Sequence, residues 1–298
     1  MLNDFGKIAI AEIIFYIPVL LISLGVTFKH GFSRKVGWVL LVVFATIRIL
    51  GAVLLIITQT QSNPSSGIIT TAGIVQSIGL TPLIAATLGF VSYLAIHAFP
   101  SFTRPLHLIH ILVTIGLILS VTGGIDASPD HSPSDQKDGR NHSKIGSILF
   151  LAAYSALAGL QVLLHGVRER FNDNQIKFLN VLSLALPFLF VRVLYTVLAA
   201  FTAKSSGPSK FSSIAGDWKI YLFMGLLMEY IVVLIYIIGG LKLAPGAEQG
   251  GPGTYELGTT RTESEETQAE GGRWKIPGRL PGGRLASRLE TVRDLVHH

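Results

Sequence analysis

The chain contains no cysteine. That absence excludes disulfides, thiolate metal sites, a cysteine nucleophile and palmitoylation. Charge is also scarce: Asp, Glu, Lys and Arg make up 14% of the 298 residues, against 49% hydrophobic. Soluble domains carry about 25% charged residues, so a helical membrane protein is the class that fits. The short alternating segments of an outer-membrane barrel are missing. No basic segment precedes the first apolar run and no small-x-small site follows it. That run is therefore expected to be a retained span rather than a cleaved signal. The net charge of +6 is spread over loops and tail, which speaks of membrane orientation and not of nucleic acid.

Long apolar runs are what the chain does have. They cover residues 8–28, 36–58, 71–96, 106–123, 145–165, 178–201 and 220–241. About 20 such residues cross the ~30 Å hydrocarbon core of a bilayer. The fold expected is all-α, a polytopic seven-transmembrane-helix bundle in residues 1–243. Beyond it, residues 244–298 are rich in Gly, Glu and Thr and read as a disordered tail. Within that tail Leu285, Leu289, Val292 and Val296 recur at helical spacing among Arg284, Arg288 and Arg293. They outline a short basic amphipathic helix over 284–298 suited to anionic inner-leaflet lipids, or else a solvated frayed end.

Loop charges set the orientation. Lys29, Arg34 and Lys35 follow the first run, Arg104 the third, and Arg168, Arg170 and Lys177 the fifth. The alternate loops carry no charge or mixed charge. By the positive-inside rule the odd loops and the tail are cytoplasmic and the N-terminus is outside. Asn141-His142-Ser143 is an N-x-S sequon in the loop 125–144, which this topology puts outside, so Asn141 is the expected glycosylation site. The plasma membrane or a secretory-pathway membrane would suit such a protein.

Four full charges lie inside the runs: Glu12, Arg48, Arg192 and Glu229. An arginine at mid-membrane costs about 2.5–3.5 kcal/mol on insertion scales, so these side chains are expected to face protein or water. Arg192 with Glu229 is the first pairing expected, since they lie on consecutive antiparallel helices at compatible depth. Arg48 with Glu12 is the second, although Glu12 sits near the outer boundary and could reach the interface instead. Either the four are interhelical ion pairs that fix register, or they line a polar cavity for a ligand. Tyr195 and Tyr230 closely follow an intramembrane charge and could hydrogen-bond it. Arg48 and Arg192 share the pattern R-[IV]-L-x-x-V, which fits two parallel helix triplets or a coincidence of aliphatic sequence. Pro18, Pro82 and Pro187, with Gly79, Gly89 and Gly225, mark ordinary kinks or helices broken around a site. His97, His107, His110 and His165 gather toward one side without the convergence a metal needs; no metal and no cofactor are expected.

Seven helices invite comparison with receptors, but the motifs of those families are missing. SYLAIHAFP closes the third run without an acidic-Arg-aromatic triplet, and the last run has neither N-P-x-x-Y nor a central lysine. The His, Asp and Ser ligands of metal-dependent seven-helix hydrolases are missing too, so no catalysis is expected. Residues 2–244 do resemble a family of uncharacterised seven-span membrane proteins of filamentous fungi, classed as a domain of unknown function. The resemblance rests on Glu12 in IAEIIFYIPVL, Arg48 in ATIRILGA, the Gln76–Pro82 stretch, Arg192 with Tyr195 in FVRVLYTV, and Glu229. It implies a fungal multi-pass membrane protein and no particular activity. The topology is similar to that of the fungal lipid-translocating exporter family. Two functions are therefore expected in competition. In one, a small amphipathic or lipid-like molecule is bound or moved at a site of Glu12, Arg48, Arg192, Tyr195 and Glu229. In the other, the protein is a receptor-like sensor or scaffold acting through its tail.

Overall fold

The computed structural model describes residues 3–29, 36–99, 103–203 and 209–242. The expected tail over 244–298, with its basic helix and lipid contact, lies outside the described residues, as do Arg34 and Lys35. The described chain is helical: α1 (Asp4–Lys29), α2 (Val36–Thr60), α3 (Ser66–Ile78), α4 (Leu80–Ala98), α5 (Thr103–Asp126), α6 (Pro133–Gly166), α7 (Asp173–Thr202), a short turn α8 (Trp218–Ile220), a π-helical segment Tyr221–Leu227, and α9 (Met228–Lys242). Taking α3 with α4, and α8 with α9, seven helices are long and apolar enough to cross a membrane.

Local chemistry places the helix ends beyond the apolar runs. The loop expected over 125–144 is mostly helix, because Ser132 accepts from Asp135 N at 3.3 Å as an N-cap and Pro133 opens the first turn. Asn141 is thus an exposed residue on α6 and not a loop residue. At the start of α7, Asn172 and Gln175 form a capping box.

The third apolar run is two helices instead of one. They meet at Gly79, whose backbone stays helical (φ −50°, ψ −29°), so the junction is a single helical residue and not a loop. Pro82 falls in the first turn of α4, where its missing N–H has no intrahelical partner to lose. This α3–α4 pair is the centre of the bundle: 72% of its most apolar stretch is buried, against 22–44% for the other spans.

The surface is inverted relative to a soluble protein. Ile14 (68% exposed), Phe28 (79%) and Val162 (71%) belong to a broad apolar exterior, far more than a soluble monomer's few hundred Å² of apolar patch. Polar groups are inside instead: Glu12, Arg48, Gln76, Arg192 and Glu229 are all buried.

Small residues set the closest helix approach. Gly116, Ser120 and Gly123 of α5 face Gly139, Ser143 and Gly146 of α6. A methyl on Gly146 would lie 2.9 Å from the Gly116 carbonyl oxygen, and one on Gly123 would lie 2.6 Å from that of Gly139. Such seams substitute backbone contact for the hydrophobic drive that lipid removes.

Candidate functional site

All four intramembrane charges meet in one buried cluster. Glu229, near the start of α9, is its centre and is fully buried. Its Oε1 accepts from Arg192 Nε. Its Oε2 accepts from Arg48 Nε at 2.6 Å and also from Arg48 Nη2. One carboxylate is therefore gripped by guanidiniums from two different helices, α2 and α7. Tyr16, from α1, donates weakly to the same Oε2 at 3.5 Å.

Glu12 is one step away. It does not pair with Arg48, as charge and chain order had suggested, and it does not reach the interface: it is fully buried. Its Oε1 accepts from the Tyr221 hydroxyl at 2.5 Å and its Oε2 from Gln76 Nε2 at 3.3 Å. Gln76 closes the network by accepting from Arg48 Nη1 on its side-chain oxygen at 2.8 Å, and more weakly on its backbone carbonyl at 3.4 Å. The physical reason for the changed pairing is geometric. Gln76, three residues before the Gly79 junction, puts its amide between Arg48 and Glu12, and Glu229 takes the guanidinium. Two carboxylates and two guanidiniums make the cluster neutral as a whole.

Glycines make room for it. A methyl on Gly79 would sit 3.1 Å from Arg48 Cδ and Nε, and one on Gly51 would sit 3.0 Å from Gln76 Oε1. Each glycine is three residues beyond a cluster side chain, hence on the same helix face.

Arg192 also donates from Nη1 to Thr196 Oγ1 at 2.7 Å, one turn along α7. Tyr195 does not hydrogen-bond the charge. Its hydroxyl donates to the Phe211 carbonyl at 2.8 Å, and its ring face receives the Arg192 guanidinium 5.3 Å from the centroid. Tyr230 departs from expectation as well: its hydroxyl is buried and has no partner among the described residues. Gln76, Tyr16, Tyr221 and Thr196 were not expected as site residues. The Gln within the third apolar run was the signal for the first; aromatic and threonine residues are too common in membrane helices to have marked the others.

The cluster has an apolar neighbour. A groove of about 430 Å³ runs between α1 and α9, lined by Ala11, Phe15, Pro18, Ile22, Leu234 and Ile237 among others. Phe15 stacks on Tyr230 with centroids 3.7 Å apart, and Tyr16 stands edge-on to both at 5.1 and 5.3 Å. Phe15 lines the groove, and Tyr16, whose ring it contacts, reaches Glu229 with its hydroxyl.

A family model described as Domain of unknown function (DUF7702) matches residues 2–245. No curated protein matches the chain, and no solved structure does.

Proposed function

The chain belongs to the DUF7702 family, whose function is unknown, and from the site alone we propose that this multi-pass membrane protein holds the polar end of a small amphipathic or lipid-like molecule at the Arg48–Glu229–Arg192 cluster. The observation that carries the reading is the shared Glu229 carboxylate, set beside two irregular stretches of helix. One is the π segment Tyr221–Leu227 that runs up to it, and the other is the α3–α4 junction at Gly79 against Arg48. Extra-residue segments of this kind are found frequently at functional sites, and interrupted spans commonly frame midplane binding sites. The orientation proposed has the N-terminus outside and the tail in the cytoplasm, supported by Arg104, Arg168, Arg170 and Lys177 falling at or beside alternate helix connections.

Mass spectrometry of small molecules retained by the purified, monodisperse protein tests the reading. One amphiphile enriched over bulk lipid in the wild type and lost in Arg192→Gln is the expected result. Identical bulk lipid in both would leave the cluster as an interhelical tie. That second reading has an observation of its own: all four oxygens of Glu12 and Glu229 are already bonded within the protein.

A further inference from the structure

The head group that this site would take can be specified further, and the specification rests on the reading above. We propose that Arg48 and Arg192 form a carboxylate clamp, which Glu229 fills in the closed protein and gives up to an alkyl carboxylate as one proton is taken up.

The clamp is already built and already holds the chemistry it would recognise. Guanidiniums from α2 and α7 bind opposite oxygens of one carboxylate, charge-assisted contacts that any carboxylate of similar reach can make. Glu229 is the side chain able to leave. It follows the π segment by two positions, and return of that segment to α-helix turns Glu229 by about 100° relative to Tyr221. The groove between α1 and α9 supplies an apolar bed for a chain, and Phe15 of its wall packs on Tyr16, whose hydroxyl reaches Glu229 in the clamp. The free Tyr230 hydroxyl gives an entering carboxylate a donor on that path.

Charge balance supplies the proton. Around Glu229 stand Tyr16 and, farther off, Glu12 from α1, Arg48 from α2, Arg192 and Tyr195 from α7, and Tyr221 from the π segment, with Tyr230 beside it on α9. The two arginines balance the two glutamates. An added carboxylate would leave one net negative charge in a water-poor interior, which is strongly disfavoured. Neutrality is kept when the displaced Glu229 carboxylate takes one proton from the medium.

The test is calorimetric titration of the full chain in phosphatidylcholine nanodiscs with dodecanoate, repeated in two buffers of different ionisation enthalpy, with empty nanodiscs subtracted. One dodecanoate per chain with about one proton taken up is expected, and acetate and dodecanol should bind roughly tenfold more weakly or less. Glu229→Gln leaves an uncompensated positive charge, so it should bind dodecanoate roughly tenfold tighter and without proton uptake. Glu229→Asp, which keeps the charge but has shorter reach, should bind tighter while still taking up the proton. The wild-type arms decide the matter even where a variant does not fold. Dodecanol binding as well as dodecanoate, with no proton, overturns the clamp and leaves the amphiphile reading standing. Acetate binding as well as dodecanoate overturns the role of the chain and the groove. No binding of any probe overturns both the clamp and the reading it rests on.

Discussion

Tyr221 and Glu229 are eight residues apart, yet both reach the same buried cluster: Tyr221 donates to Glu12, and Glu229 accepts from Arg48 and Arg192. In a regular α-helix of 3.6 residues per turn, Leu222 would lie two turns below Glu229. The π segment adds a residue to that interval and puts Tyr221 there instead; Tyr221 is 1% exposed. Tyr221→Phe therefore strips a buried carboxylate of one of its two donors. A loss of about 1–3 kcal/mol is expected, read from thermal unfolding in detergent.

Neutralising the two glutamates should have unequal effects. Glu229→Gln releases two buried guanidiniums, at an expected cost of about 3–5 kcal/mol. Glu12→Gln loses bonds to Tyr221 and Gln76, both neutral, and should cost about 1–3 kcal/mol. Equal losses in parallel unfolding measurements would contradict the central place of Glu229.

Glycine substitutions separate the tight positions from the open ones. Gly79→Ala and Gly51→Ala push a methyl onto Arg48 and Gln76, and each should cost about 1–3 kcal/mol through overpacking. Gly159→Ala, on an exposed face of α6 with nothing near its new methyl, should stabilise by about 0.5–1 kcal/mol. Three melting curves suffice to check the order.

The α5–α6 seam should be as intolerant as the cluster. Gly146→Val drives branched carbons into the Gly116 carbonyl and the Ser120 hydroxyl and forces the two helices apart. Destabilisation by about 1–3 kcal/mol or more is expected, together with earlier proteolysis near residues 127–132.

Because the chain has no cysteine, single cysteines report orientation without background. Lys137→Cys on the exposed start of α6 should react with a membrane-impermeant maleimide on intact cells. Glu169→Cys, between α6 and α7, should react only after permeabilisation. The reverse pattern would invert the proposed topology.

The sequence by itself determined that seven apolar helices would form and that four charges would lie among them. Run length and apolarity are local properties, and the bilayer acts on each run separately. It also pointed to Arg192 beside Glu229, because helices adjacent in the chain at matching depth are natural neighbours. Only the tertiary structure decided that Arg48 joins Glu229, 181 residues away, and that Glu12 reaches the cluster through Gln76 and Tyr221. Such a pairing depends on how each helix is rotated about its axis. That rotation comes from the extra residue before Glu229 and the packing of α3–α4 at the bundle's centre, which no single apolar run encodes.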